Sequence, residues 1–359
     1  MAIEWDCVNE MPRNVKFLTK TGVGKKPLAA AFFLLAILAV SWVGLNPVFL
    51  DRTLKADDAP VNAQAWLGAK IAGIHAFLRK LGGIGALSRK TAKGPKVALL
   101  KETFQTLNYD WEGLLRGDGM ADVPRVILAG VPDDLRAVGH VREKKMLFFK
   151  VVLPLILRVN EEIARDRGRL AAIDGTLAGG GEPSAADKAW LVALAKRYRI
   201  DEIDTKKLLI RVDAIPVSLA LAQAAEESGW GSSRFAREGN ALFGQWTYST
   251  VDKGITPKNR DKAKKHRVRA FGNLIESVRA YARNLNTNKV YGNFRRIRAN
   301  RRLQGHKPEG AVLAGTLTNY SERGQAYVDG IRAIIDANDL GGLDTAKLRD
   351  GKPVTVPSV

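Results

Sequence analysis

Cysteine is almost missing from this chain of 359 residues, which contains Cys7 and no second copy. Because a disulfide joins two cysteines, no intramolecular disulfide can form. Histidine is also scarce, and its four copies, His75, His140, His266 and His306, lack the spacing of a zinc site. The sequence therefore predicts neither a structural metal nor any other cofactor.

Acidic residues are few relative to basic ones. The chain has 37 Asp and Glu against 57 Lys and Arg, which gives a formal net charge of +20. Such an excess predicts an anionic partner, which charge alone leaves open among nucleic acid, a lipid surface and a carboxylate-bearing polymer. The stretch 258–307 holds sixteen basic residues against Asp261 and Glu276. It has no nucleic-acid recognition motif, so we expect a rim that attracts an anionic polymer or an ordinary solvated surface.

Residues 27–50 contain no charged side chain, and LAAAFFLLAILAVSWVGL at 28–45 is long enough to cross a hydrocarbon core of about 30 Å as a helix. Five basic residues precede this stretch and acidic residues follow it, so the positive-inside rule places the N-terminus in the cytoplasm. We predict a single-pass protein of the cytoplasmic membrane whose bulk is periplasmic. Secretion after signal cleavage is the alternative, although the nearest small-x-small site, at 63–65, is distant from the apolar run.

Beyond the membrane the hydrophobic periodicity is mostly helical. The composition at 175–187 favours a flexible connection, after which Ser184 or Asp187 can cap a helix to about Arg197. The pattern fails at 244–271, which suits a short β-hairpin or irregular lobe. We predict a mainly α (α+β) fold with six segments: a basic N-terminus (1–27), a transmembrane helix (28–50), a juxtamembrane helical region (51–97), a helical region (98–199), a domain with the small β-lobe (200–340) and a weakly ordered tail (341–359).

A helix is expected from Pro216, as its first residue, to the stop at Gly229. Glu227 lies in its last turn, where the negative end of the helix dipole and the neighbouring Trp230 favour a protonated carboxyl group. A neutral glutamic acid is a usable general acid, but on spacing alone a solvated helix end is the more common reading. Glu226 is expected to be a solvated charge. Four rings offer flat surfaces for sugars: Trp230, Phe243, Trp246 and Tyr248.

Several short segments closely resemble the Bax-like glucosaminidase family, which is similar to the family 73 glycoside hydrolases. They are Arg211-Val212-Asp213, Ile215-Pro216, Ala222-Gln223-Ala224-Ala225, Glu227-Ser228-Gly229-Trp230-Gly231, Ser233-Arg234-Phe235-Ala236 and Gly239-Asn240-Ala241-Leu242-Phe243-Gly244-Gln245-Trp246. The resemblance spans about 98–338. It implies a lysozyme-like fold and cleavage of peptidoglycan between N-acetylglucosamine and N-acetylmuramic acid, with Glu227 as the catalytic acid.

The resemblance also implies the remaining site residues. Tyr320, in Tyr320-Ser321-Glu322-Arg323-Gly324, would be the second catalytic residue. The implied substrate-binding residues are Gln223, Trp230, Asn240, Phe243, Gly244, Trp246 and Tyr327. For Tyr320 and Tyr327 a purely structural role in the core is the alternative.

One departure concerns the second carboxylate that many family members place in the β-lobe. The corresponding stretch, 264–269, has no acidic residue, and Asp252 and Asp261 are the nearest candidates. The N-acetyl group of the substrate can act as the nucleophile in some glycosidases, so one carboxylate can suffice.

The sequence thus predicts a membrane-anchored endo-β-N-acetylglucosaminidase acting on peptidoglycan glycan strands. The alternatives are a lytic transglycosylase or amidase on the same polymer, or a non-catalytic wall-binding protein.

Overall fold

The computed structural model describes residues 96–116, 122–258 and 265–356. The predicted membrane helix at 28–50, the basic N-terminus and nearly all of the predicted juxtamembrane region lie outside these residues. Within the described ranges, no helix is both long enough and apolar enough to cross a membrane.

The described chain is mainly helical, with five very short strands, which confirms the predicted fold class in its main feature and is consistent with a lysozyme-like domain. The α-helices are α1 (Val97–Thr106), α2 (Trp111–Arg116), α3 (Val141–Ala178), α4 (Ala185–Arg197), α5 (Thr205–Arg211), α6 (Val217–Ser228), α7 (Arg234–Gly239), α8 (Leu274–Thr287), α9 (Gly292–Leu303), α10 (Gly310–Ala314) and α11 (Gln325–Ala337). The strands are β1 (Val126–Ile127), β2 (Trp246–Thr247), β3 (Gly254–Ile255), β4 (Arg267–Arg269) and β5 (Val354–Thr355), and 3₁₀ turns cover Asp133–Ala137, Lys289–Tyr291 and Leu340–Thr345.

Helix α6 lies at the centre of the fold and packs against α3, α10, α11 and the Leu340–Thr345 turn. Its small side chains let these neighbours approach closely, and residues 217–225 are all buried. The helix begins at Val217, so Pro216 is its cap rather than its first residue, one position from the prediction. Its N-terminus is closed by Asp344, which accepts hydrogen bonds from the Ser218 N–H and the Gly310 N–H, both at 2.8 Å.

The C-terminal segment is ordered, and the prediction of a weakly ordered tail was wrong for its described part. Strand β5 pairs in parallel with β1, with Val354 opposite Val126. Leu340, Leu343 and Leu348 are buried in the same core as residues near position 100. Gly341 and Gly342, which separate two of these leucines, are typical of a loop, so the sequence pattern did not reveal their burial.

The predicted flexible connection at 175–187 is also shorter than expected. Helix α3 continues through Gly175 to Ala178, because its apolar face from Leu147 to Ile163 anchors a long helix against the core. Helix α4 begins at Ala185, and the Ser184 hydroxyl accepts from the Asp187 N–H at 3.1 Å, as predicted for the cap.

The predicted β-lobe is present as a three-stranded antiparallel sheet in the order β2-β4-β3. Trp246 pairs with Val268, and Ile255 pairs with Val268 from the other side. Val268 packs with Ala241 and Phe271 in a small cluster of its own. This sheet therefore stands beside the end of α6, connected to it through α7.

Candidate active site

Glu227 lies in the last turn of α6, and a tight turn follows directly after the helix. Gly229, Trp230 and Gly231 have φ angles of 55°, 57° and 73°, so three successive residues adopt the left-handed conformation. Glycine is favoured at position 231, because its φ angle is positive and a Cβ there would lie 3.0 Å from the side chain of Val131. The Ser228 hydroxyl accepts from the Gly231 N–H at 2.8 Å, which fixes the turn directly after Glu227.

The carboxyl group of Glu227 is largely shielded from solvent and lies between two different neighbours. Its Oε1 accepts a hydrogen bond from the Tyr327 hydroxyl at 2.9 Å. Its Oε2 is 3.3 Å from the position that a Cβ on Gly244 would occupy. Burial raises the pKa of Glu227, the Tyr327 hydrogen bond opposes this, and the nearby Glu226 carboxylate raises the pKa further. The net upward direction favours a neutral carboxyl group that can donate a proton.

Gln223 and Tyr327, predicted to bind substrate, lie behind Glu227 rather than on an open surface. Gln223 is one helical turn before Glu227 on α6 and is 0% exposed. Its Nε2 donates to the Tyr327 hydroxyl at 2.9 Å, and its Oε1 accepts from the Tyr281 hydroxyl at 2.7 Å. Sequence analysis did not identify Tyr281, which sits at an apolar helical position of α8 and therefore looked like an ordinary core residue.

Tyr320, the predicted second catalytic residue, lies one ring away from the Glu227 carboxyl group. It stacks on Tyr327 with a centroid distance of 5.4 Å and an interplanar angle of 8°. Tyr291 is 5.9 Å from Tyr320 on the other side. Tyr320 is partly buried, so the structure brings it to the site while part of the residue remains exposed.

Three other predicted binding residues serve mainly as supports. Phe243 is 2% exposed and stacks on Tyr281 at 3.9 Å. Asn240 is 0% exposed, and its Nδ2 donates to the Gly272 carbonyl at 3.3 Å. Trp230 packs edge-on against Phe149 at 5.2 Å, so the ring predicted to hold a sugar also holds the turn onto α3.

Trp246, by contrast, lies on the surface of the β-lobe and is 53% exposed. It stacks on His266 with a centroid distance of 4.1 Å, which fixes the plane of the indole ring. Tyr248, two residues further along, is 61% exposed. The flat apolar surface expected for sugar rings is therefore present on this lobe.

Glu226 is partly exposed, as expected of a solvated charge, and it is also paired. Its Oε1 forms an ion pair with Arg323 at 2.5 Å. The Arg323 guanidinium also lies over the ring of Tyr327, 5.3 Å from its centroid. The pair thus links the end of α6 to the segment that carries Tyr320.

A second catalytic carboxylate is not evident in the described part of the chain. Asp252 accepts from the Thr247 hydroxyl at 2.8 Å and pairs with Arg269 at 3.5 Å, so it is engaged within the β-lobe. Asp261 lies outside the described residues. Over the same described ranges, no group of three His, Cys, Asp or Glu side chains is arranged to hold a metal ion.

The basic stretch at 258–307 divides into two groups with different roles. Arg295 and Arg298 are 6% and 0% exposed and donate to backbone carbonyls, so they belong to the interior rather than to a cationic rim. Arg283, Lys289 and Arg296 are exposed. The rim is therefore weaker than the count of charges implied.

A mainly helical domain that holds one carboxyl group of raised pKa beside tyrosine rings and an exposed aromatic lobe is consistent with a glycosidase of lysozyme-like fold. Residues 204–340 match the family model for mannosyl-glycoprotein endo-β-N-acetylglucosaminidase. The chain is also 34% identical over 211 residues to "Protein bax" of Escherichia coli (strain K12), which covers 57% of this chain and 73% of that protein. No solved structure matches it. The chain belongs to the Bax-like glucosaminidase family, which supports glycoside hydrolysis as its general activity.

Proposed function

We propose that this protein is a membrane-anchored peptidoglycan hydrolase that cleaves the β-1,4 glycosidic bond after N-acetylglucosamine, with Glu227 as general acid. The main support for this proposal is the position of Glu227 at the end of α6. Its carboxyl group is largely shielded from solvent, has a raised pKa and accepts a hydrogen bond from Tyr327. Glycosidic cleavage requires a carboxylic acid that is still protonated when it meets the leaving oxygen.

Around this acid, the other side chains take complementary roles. Tyr320 assists near the reacting sugar, and Trp246 offers its exposed ring to a neighbouring sugar of the strand. Asp252 is engaged by Thr247 and Arg269, so we assign the nucleophilic role to the N-acetyl group of the substrate. Water then hydrolyses the intermediate.

The anchor and the cellular location are part of the same proposal. They are supported by the uncharged stretch at 27–50 and by basic residues before it and acidic residues after it. With this orientation the catalytic domain would lie on the periplasmic side, where the glycan strands are.

Digestion of purified sacculi by the full-length protein in detergent tests the activity, with mass spectrometry of the products. Reducing ends of N-acetylglucosamine support the proposal. Three other results contradict it: 1,6-anhydro ends indicate a lytic transglycosylase, released peptides without new reducing ends indicate an amidase, and binding without products indicates a wall-binding protein.

The Glu226→Gln variant is expected to move the alkaline limb of kcat/KM to lower pH by roughly half a unit. The Glu226 carboxylate raises the pKa of Glu227, and its removal also leaves Arg323 with no opposing charge. Both effects favour ionised Glu227, so the acid loses its proton at a lower pH. Comparison of pH profiles for the two proteins checks this, and an upward shift or no shift would contradict the assignment of the limb to Glu227.

A further inference from the structure

A continuous chain of hydrogen bonds runs from the interior to Glu227. Tyr281 donates to Gln223, Gln223 donates to Tyr327, and Tyr327 donates to Oε1 of Glu227. Gln223 is 0% exposed and both tyrosines are 1% exposed. Bulk water therefore has no access to the links between them.

The direction of these hydrogen bonds is set by the one farthest from Glu227, which Tyr281 donates to Gln223. Among the described residues, Gln223 Oε1 is the acceptor for the Tyr281 hydroxyl, and Phe243 stacks on the Tyr281 ring and holds it in place. A flipped Gln223 amide would turn its NH₂ group toward Tyr281 and leave the buried phenol proton without an acceptor, which is unfavourable. The NH₂ group is thus held toward Tyr327, whose own proton is directed at Glu227.

The two oxygens of the Glu227 carboxyl group are consequently not equivalent. Oε1 already accepts the Tyr327 proton, so in the neutral acid the carboxyl proton belongs on Oε2. Oε2 lies on the side of Gly244, 3.3 Å from where a Cβ would be. Gly244 has a φ angle of 59°, which favours glycine. The protonated oxygen therefore borders a residue that has no side chain.

We infer that Gln223 and Tyr281 are positioning residues that hold the transferable proton of Glu227 on Oε2, beside Gly244, where the glycosidic oxygen approaches. This inference rests on the proposed hydrolysis. The Oε2 proton moves to the glycosidic oxygen, and the bond from that oxygen to the anomeric carbon breaks with its electron pair on the oxygen. The N-acetyl oxygen of the substrate forms the new bond to that carbon. Glu227 becomes a carboxylate, which the Tyr327 hydrogen bond stabilises. Water later attacks the anomeric carbon, the bond to the N-acetyl oxygen breaks and restores the N-acetyl group, and the proton released from water returns to Glu227.

The Tyr281→Phe variant tests the inference, because it removes one hydroxyl and keeps the ring on Phe243. Without the Tyr281 proton, the Gln223 amide can flip and accept from Tyr327, so the Glu227 carboxylate loses part of its stabilisation. We expect its titration midpoint to rise by about 0.5–1 pH unit in the full-length protein labelled with ¹³C at the Glu side-chain carboxyl carbon. The Glu227 signal is identified by its absence in Glu227→Gln.

Kinetics supply a second readout on sacculi. The kcat of Tyr281→Phe should fall about tenfold with little change in KM, while the alkaline limb of its pH profile moves upward. A variant that is only less stable would contain fewer active molecules, but the alkaline limb of its pH profile would stay at the same pH. Tyr198→Phe is the matched control, since Tyr198 is 5% exposed and takes no part in this hydrogen-bond chain. It should leave both the midpoint and the limb in place.

The results separate this inference from the proposed function. If the wild-type protein is active and Tyr281→Phe has the same Glu227 titration midpoint and the same alkaline limb, the inference is overturned and the proposed function is not. Equal shifts in Tyr281→Phe and Tyr198→Phe overturn it as well, since the effect would then not depend on this chain. A wild-type protein that produces no cleavage products overturns the proposed function and, with it, the assigned proton transfer.

Discussion

Replacement of Glu227 by Gln is expected to lower kcat on sacculi by about 10²–10⁴-fold with a small change in KM. The amide has nearly the shape of the acid and can still accept from Tyr327, so the local structure is retained. It has no acidic proton to give to the glycosidic oxygen, and the leaving group must then depart as an alkoxide. Quantification of new reducing ends against time, for both proteins at equal concentration, measures the loss.

Glu238→Gln is the matched control for this substitution. Glu238 lies in the next helix along the chain, and its side chain is 53% exposed and pairs with Arg234 at 3.6 Å. It should retain wild-type activity. Release of the same muropeptides at the same rate by Glu227→Gln would show that another group supplies the proton.

The position of Glu227 could be predicted because all its signals are local. A run of small apolar residues predicts the helix, Gly229 predicts where it stops, and the following Trp230 predicts partial shielding. The structure confirms the helix end, and burial raises the pKa of Glu227 in the direction that the sequence predicts. What it adds is the tight turn of three left-handed residues, which depends on side chains from α3 that lie far away in the sequence.

The supports of the site could not be predicted, because they join distant parts of the chain. Gln223 meets Tyr327 across 104 residues and Tyr281 across 58 residues. The family resemblance implied Gln223 and Tyr327 as substrate-binding residues, and Tyr281 looked like a core residue. No periodicity shows that the three share hydrogen bonds. Asp344 is a similar case, since it caps α6 from 126 residues away.

Arg298 is the residue whose replacement is expected to lower the stability of the fold strongly. It is 0% exposed, and burial lowers its pKa to about 10, which still leaves it charged at neutral pH. Its guanidinium donates to the carbonyls of Ile210, Asp213 and Ala214, in the segment that ends α5 and leads into α6. The Asp213 carboxylate lies 3.5 Å away. One side chain therefore satisfies several buried acceptors at once.

The Arg298→Ala variant is expected to lower the free energy of unfolding by about 3–5 kcal/mol. It leaves three carbonyls with one donor fewer, and among the described residues Asp213 keeps the ion pair with Arg302 and the hydrogen bond from the Ala214 N–H. Arg296→Ala is the matched control, because Arg296 lies on the same helix, is exposed and bonds only to Asn293 among the described residues. It should change stability by less than about 0.5 kcal/mol. Urea unfolding followed by tryptophan fluorescence measures both. If both variants lost the same small amount of free energy of unfolding, Arg298 would not be the link between α9 and the start of α6.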